Sequence, residues 1–386
     1  MHTMPTAGVT RLEIDLSVLT ANYQRLVAAL APATVMAVLK DNAYGHGLIP
    51  VARQLYAAGC RRFACATLGE ALELKRHCPG AYDLLILRAL TESELPVAID
   101  CGCQLTLHDL RTLDCAETLA RAAGRQVPVH LKIDTGLGRL GFLPDEVPAA
   151  LAALQQAPHL AVCGIYSHLA MSWRHHEFSV RQLALYQQAV AQARAHYPEI
   201  ICHLAATAGA LTMPEARFDL VRISSLLYGL SYLNEWPWGL EPVLRWVAPL
   251  IQVRAFPAEW NIGYKLLYRT TAGQRIGVLA VGAGDSFPYA LRLKGVVLLR
   301  GRRCPIVGMS LDQTMIDLTP VPDAQPGDEA VLIGRDGADQ LRAEEVGATA
   351  QTSYGEILSR IPARIPRCYS AGGTMLTAAG YGLPDA

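Results

Sequence analysis

Short apolar runs recur through the first 230 residues of the chain, and polar segments with helical spacing separate them. The runs predict strands at 34–40, 62–67, 83–88, 104–108, 128–134, 162–168, 201–205 and 219–223. Between them, residues 69–77 (GEALELKRH) and 178–197 (FSVRQLALYQQAVAQARAHY) carry the period of amphipathic helices. Eight strands alternating with helices is the pattern of a (β/α)8 barrel. A doubly wound open sheet is the rival, but no GxGxxG follows the first strand. After residue 230 the pattern changes. SYLNEWPWGLEPVLRW, rich in Trp and Pro, reads as a connection, and from 245 onward helical patterning is scarce. VAPLIQVRAF, QRIGVLAVG, KGVVLLRGRRCPIVG and DEAVLIGRDG read as strands with turns at KG, RG, PGD and DG. The expected organisation is therefore a barrel over 17–235 and a β-rich domain over 236–386, with residues 1–16, extended at 11–16 (RLEIDL), belonging to the second.

Composition narrows the class of partner. The chain has 386 residues, more than one core usually serves. Lys plus Arg and Asp plus Glu both count 34, so the net charge is zero, which argues against nucleic acid and favours a small metabolite. The 10 cysteines are scattered without a CxxC pair, so thiols in a reducing compartment are expected and no metal-ligand spacing is found. No apolar stretch long enough to span a membrane occurs and no signal peptide is read at the N-terminus, so the expected location is cytoplasmic.

Residues 34–47, TVMAVLKDNAYGHG, concentrate the chemistry. The run 34–39 reads as a buried strand, Lys40 closes it, and Asp41, Asn42, Gly45 and Gly47 mark a loop. A helix follows, with Pro50 in its first turn, Leu48, Val51, Ala52 and Leu55 on one face, and Gly59 as its stop. A lysine at the C-terminal mouth of a strand–loop–helix unit stands where α/β folds collect function. Partial desolvation there favours Schiff-base formation.

The same segment resembles the cofactor-lysine motif of the alanine racemases. Further similar segments follow in the family's order: 131–141 (LKIDTGLGRLG), 164–168 (GIYSH), 220–222 (LVR), 262–264 (IGY), 305–318 (PIVGMSLDQTMIDL) and 364–367 (RIPR). The resemblance implies a pyridoxal 5'-phosphate enzyme with an N-terminal barrel and a C-terminal β-domain, acting as a homodimer with shared active sites. It makes Lys40 the cofactor lysine and one catalytic base, and Tyr264 the second base, supplied by the other subunit. An ordinary phenol, with a pKa near 10, is a poor base at neutral pH and needs a positive field. Without the resemblance Tyr264 would be read as a cross-strand aromatic.

Tyr44, Thr207, Ser224 and Ser225 would hold the cofactor phosphate, although a helix cap is an ordinary role for Thr207 and loop polarity for the serines. Arg222 would face the pyridine nitrogen, with His168 and His203 bonded around it or serving as satisfied core histidines. A guanidinium has no lone pair to offer, so the ring nitrogen opposite it accepts and is not protonated. Arg139 would hold the substrate carboxylate, Lys132 corresponds to a lysine often carbamylated, and Leu311 with Asp312 would approach substrate from the partner chain.

Four positions depart from the family pattern. Leu311 stands for a methionine and Ala206 for an asparagine. Ala283 replaces a tyrosine, and so does Gly355, unless a one-residue slip puts Tyr354 there. A roomier, more polar pocket implies serine or a larger amino acid beside or instead of alanine as substrate, and serine beside alanine is the expected pair. The segment 352–365 is also similar to serine racemases of the vancomycin-resistance type. The rival readings are a decarboxylase of the same fold and a non-catalytic cofactor-binding homologue.

Overall fold

The computed structural model describes residues 8–173, 176–231 and 237–376. The domain boundary expected at 235–236 lies outside them. The chain separates into two compact units: one made of residues 19–43 and 48–240, the other of residues 1–18, 44–47 and 241–386. Among the described residues, no helix is long and apolar enough to cross a membrane.

The first unit is a parallel barrel. Its eight strands are Thr34–Val38, Arg62–Cys65, Asp83–Ile86, Leu105–Leu107, Val127–Lys132, Leu160–Tyr166, Ile201–His203 and Leu220–Ile223. They form two four-stranded parallel sheets, with the first strand paired to the eighth. Single bridges Leu85↔Gln104 and Ala206↔Arg222 link the sheets at both seams and close the ring. The eighth strand ends with its run at Ile223, whereas the other seven end earlier at the C-terminal end than the apolar runs that predict them. The last residues of those runs have left the ladder to form the functional mouth. Met36, Val38, Ala64, Leu85 and Leu220 make an apolar cluster inside. The helices Leu68–His77 and Glu177–His196 lie where the periodicity puts them. Thr67 caps the first, accepting from Glu70 N at 3.2 Å, while the Glu70 carboxylate takes the Thr67 N–H at 3.1 Å.

The second unit is built on a ten-stranded sheet. Leu244–Ala255 organises it: the front half pairs antiparallel with Glu329–Asp336 and with Arg11–Asp15, and the rear half pairs with Arg275–Leu279. A register shift between Leu250 and Gln252 lets one strand serve both partners. Following the pairings through Thr314–Asp317, Arg302–Met309 and Val296–Leu299 returns to Glu329–Asp336, so six antiparallel strands close on themselves. Arg11–Asp15 is joined on its other side, in parallel, by Arg367–Ala371. Helices Ala343–Ala350 and Tyr354–Ser359, which the patterning did not predict, complete the unit.

Candidate active site

Lys40 begins a turn rather than ending a strand. The first strand stops at Val38, and residues 41–44 then all have φ between 53° and 55°. Four consecutive non-glycine residues thus form a turn of left-handed helix, a geometry that costs L-residues about 1–2 kcal/mol each. Compensating bonds hold it. The Asn42 side-chain oxygen accepts from Leu48 N at 2.7 Å, the Asp41 N–H goes to Glu70 Oε1 at 2.5 Å, and Ala43 N to Leu39 O at 2.9 Å. Strain held by surrounding structure in this way is typical of functional sites. The Lys40 side chain is 39% exposed, with Nζ 3.8 Å from Asp41 Oδ2. The loop signals in the sequence were correct in place, but their left-handed form is set by these distant bonds.

Within the barrel unit, Arg222 is the hub. Its side chain is 3% exposed and donates only to neutral acceptors. Nη1 reaches His203 Nδ1 at 2.9 Å and His203 O at 2.7 Å, while Nη2 reaches Ser167 O at 2.7 Å and Leu204 O at 3.0 Å. His168 Nδ1 lies 3.4 Å from Nη2. Burial pushes the guanidinium down to about 10, so it stays charged at neutral pH. Burial first, then the Arg222 charge, drives His168 and His203 well below the ordinary histidine range, so both rings are neutral. Among the described residues, no acceptor takes the Nε proton of Arg222.

Lys132 is 4% exposed, with Nζ 4.6 Å from the centre of the Tyr166 ring. Burial, Arg222 and Arg139 together push its amine far below the ordinary lysine range. Arg139 is exposed, yet its backbone is fixed. Asp134 Oδ1 accepts from the backbone N–H groups of Gly136, Leu137 and Gly138, and Oδ2 accepts from Arg139 N at 2.8 Å. Burial opposes the charge on Asp134, but the four N–H donors prevail and hold the carboxyl below its usual range.

Thr207 and Ser224 meet at the ends of the seventh and eighth strands. Thr207 Oγ1 accepts the Ser224 N–H at 3.0 Å, and the two hydroxyls are 3.1 Å apart. Ala206 occupies the cap position of the helix Thr207–Thr212, so Thr207 is not its cap. Ser225 is 2% exposed and its Oγ has no partner among the described residues. A buried hydroxyl of this kind calls for an acceptor that the protein here does not supply.

The remaining expected residues lie in the other unit. Tyr44 is half-buried at the end of the left-handed turn. It is followed by Gly45, where a Cβ would stand 2.1 Å from Leu358 O, and Gly47, where one would stand 1.9 Å from Tyr369 Oη. Tyr264 is 67% exposed, in a short turn between the paired strands Asn261–Ile262 and Tyr268–Arg269, so it is not the cross-strand aromatic of the alternative reading. Leu311 and Asp312 are exposed in a loop that rests on the next turn: Ala283 N donates to Ser310 O and Gly284 N to Leu311 O. That turn is braced by Asp285 with Arg364 at 2.8 Å. Tyr354 is 3% exposed, packed inside the unit, whereas Gly355 beside it presents no side chain.

Sequence reasoning missed His130, Gln104, Tyr166 and Asp134. A signal was present for two of them: His130 and Asp134 share the strand face of Lys132 by the two-residue period.

The comparisons decide the family. The model of the alanine racemase N-terminal domain matches residues 14–232, and that of the C-terminal domain matches residues 243–369. The chain belongs to the alanine racemase family. It is 36% identical to the alanine racemase of Symbiobacterium thermophilum over 368 residues, covering 93% of this chain and 97% of that one. Among solved structures, the alanine racemase of the D-cycloserine-producing Streptomyces lavendulae matches with TM-score 0.89 and 33% identity over 95% of this chain and 98% of that one. The Bacillus anthracis enzyme with bound L-Ala-P matches with TM-score 0.88 and 30% identity over 97% and 98%. The Bartonella henselae alanine racemase, solved with covalently bound pyridoxal phosphate, matches with TM-score 0.86 and 29% identity over 94% and 99%.

The family is one of pyridoxal phosphate-dependent isomerases, and the residues here fit that group. Lys40 would offer the amine, Arg222 an Nε donor for the ring nitrogen, and Thr207, Ser224 and Ser225, whose Oγ has no partner among the described residues, neutral donors suited to a phosphate.

Proposed function

We propose that this chain is a pyridoxal phosphate-dependent racemase that interconverts L- and D-alanine and also L- and D-serine, using Lys40 and Tyr264 as its two bases. The observation that carries the reading is the buried Arg222, ringed by neutral histidines and carbonyls. Bound to Lys40, the cofactor supplies electron withdrawal from the substrate Cα–H bond. Arg222 moderates that withdrawal, because a guanidinium donates to the ring nitrogen and cannot accept from it. Moderate withdrawal suits proton exchange at Cα over loss of a β-hydroxyl.

Lys40 exchanges the proton on one face, and Tyr264 of a second copy exchanges it on the other. The exposure of Tyr264 suits a residue offered to a partner chain. Arg139, presented by the Asp134 cradle, holds the substrate carboxylate with its forked donors. Tyr44, Thr207, Ser224 and Ser225 bind the phosphate, and His168 and His203 support Arg222. Leu311 and Asp312 close over the substrate from the second copy. Lys132, a buried neutral amine among cations, is suited to add CO2 at Nζ with loss of one proton, giving a carbamate that pairs with Arg139. The working form is a cytoplasmic homodimer, with residues 17–235 binding the cofactor and 236–386, with 1–16, serving the partner's site.

Serine enters because two tyrosines of the family pattern are absent. Gly355 and Ala283 bring no aromatic wall, and Tyr354 is packed inside. One methylene or hydroxyl in such a pocket is discriminated by only about 1–3 kcal/mol. The test is an absorbance spectrum of the purified enzyme followed by a chiral assay across L-amino acids. Visible absorbance with comparable racemisation of L-alanine and L-serine is expected, and Gly355→Tyr should shift preference toward alanine. Strong native preference for alanine would remove the serine assignment; absence of any racemisation would remove the enzyme reading.

A further inference from the structure

Behind Arg222 runs a chain of hydrogen bonds that ends in a glutamine. His203 Nε2 lies 2.8 Å from His130 Nδ1, and His130 Nε2 lies 3.0 Å from Gln104 Oε1. We propose that Gln104 and His130 are positioning residues that fix, by hydrogen-bond direction, the tautomer in which His203 accepts from Arg222. The proposal rests on the reading of Arg222 as the group facing the cofactor ring.

The direction follows from the chemistry of the two ends. A guanidinium only donates, so His203 Nδ1, 2.9 Å from Nη1, carries a lone pair and the proton sits on Nε2. That proton meets His130 Nδ1, which must also carry a lone pair, so His130 is protonated on Nε2 and donates to an oxygen. Only the carbonyl end of the Gln104 amide satisfies it. Turning the amide over would set two donors face to face somewhere between Gln104 and Arg222. The guanidinium at one end and the amide carbonyl at the other thus agree on a single state for both rings.

The surroundings keep this arrangement fixed. Gln104, His130, His203 and Arg222 are 8%, 1%, 0% and 3% exposed, so an unmatched donor has no water to turn to. The Tyr166 ring stacks on His203 at 4.8 Å and 5°, and its hydroxyl is tied to Thr106 Oγ1 at 2.7 Å. Gly164 leaves room for His130, since a Cβ there would stand 2.2 Å from Nδ1. Burial, together with Arg62 and Arg222, pushes His130 down to about 3, so a second proton is not available to break the pattern. The donors therefore run from Arg222 away from the face that its Nε serves, and no proton passes along them toward that face.

The test uses the holoenzyme labelled with 15N-histidine, in mildly alkaline buffer, with signals assigned through His130→Asn. His130 and His203 are expected to be protonated at Nε2 alone. Gln104→Met removes the acceptor and should yield mixed tautomers at both rings, a shifted cofactor absorbance band, and kcat lower by about ten- to hundredfold, the scale on which outer hydrogen-bond partners act. KM for alanine should stay nearly unchanged. Gln104→Glu, an acceptor without N–H, should restore the Nε2 tautomers and most of kcat, which a mere packing role would not. A wild-type His203 protonated at Nδ1 overturns the proposal, and so does Gln104→Glu behaving like Gln104→Met. If Gln104→Met fails to fold, the wild-type and glutamate tautomers decide. A tautomer change in Gln104→Met without change in band or kcat supports the tautomer lock and overturns the cofactor-facing role of Arg222.

Discussion

At the residue scale, the site is an exercise in supplying donors without supplying protons. Arg222 stays charged while its histidines stay neutral, both through burial. Asp134 shows the complementary case, a carboxylate spent entirely on backbone N–H groups. Asp134→Ala would leave four N–H groups unmatched and release the segment that presents Arg139. Hydrogen bonds to a charged acceptor contribute about 1.5–3 kcal/mol each, so a clear stability loss accompanies the change. If Arg139 grips the substrate carboxylate equally before and during reaction, KM for alanine rises while kcat changes little. Steady-state kinetics check this, and a fall in kcat at constant KM would count against it. The lysine and arginine of this site were legible because charged residues at strand ends stand out against apolar runs. Gln104 and Tyr166 were not, since an apolar-looking strand does not reveal which of its polar side chains meet across a barrel.

At the element scale, the informative feature is the left-handed turn after the first strand, which places Lys40 and Tyr44 at its two ends. Its exit depends on close approach. Gly45, at φ 82°, lets the chain pass against Leu358 O, and Arg367 Nε donates to Gly45 O at 3.0 Å. Gly45→Ala would force backbone apart on two counts, a Cβ 2.1 Å from a carbonyl oxygen and a positive φ. Destabilisation of about 2–4 kcal/mol is expected, with weaker cofactor retention. Thermal unfolding with and without added cofactor measures both, and an unchanged midpoint would show that this contact yields easily. The glycines and the Asp41–Asn42 pair announced a special loop in the sequence. Its handedness was not legible, because it is fixed by Glu70 and Leu48, partners from other elements. Strand count and order were legible for the opposite reason: barrel strands are continuous apolar runs, and their spacing survives any local detail.

At the scale of the whole molecule, the buried His130 and His203 and the half-buried His168 make stability depend on pH in a stated direction. His130, His168 and His203 have folded pKa values below the ordinary 6.5, with His130 at about 3. An unfolded chain therefore binds more protons than the folded one across that interval, and stability rises with pH there. Each histidine contributes a slope of up to about 1.4 kcal/mol per pH unit between its two pKa values. The urea midpoint should fall steadily as pH drops below about 6.5, and His130→Asn should flatten the fall. A midpoint flat through that range would mean that these rings are protonated in the folded protein. The same scale holds the question of how many chains make one site. Lys40 sits at the barrel mouth, whereas Tyr264 stands exposed on the other unit, 67% open to solvent. In the proposed dimer each site takes its lysine from one chain and its tyrosine from the other. Lys40→Ala and Tyr264→Phe homodimers should each be nearly inactive. After subunit exchange, a mixed dimer pairs one doubly mutated site with one that has both native bases. With random pairing about half the dimers are mixed, each with one native site, so the pooled activity should recover to about one quarter of wild type. Visible cofactor absorbance gives an independent count, because only the chains with native Lys40 retain it. No recovery after exchange verified by mass would show that both bases come from a single chain.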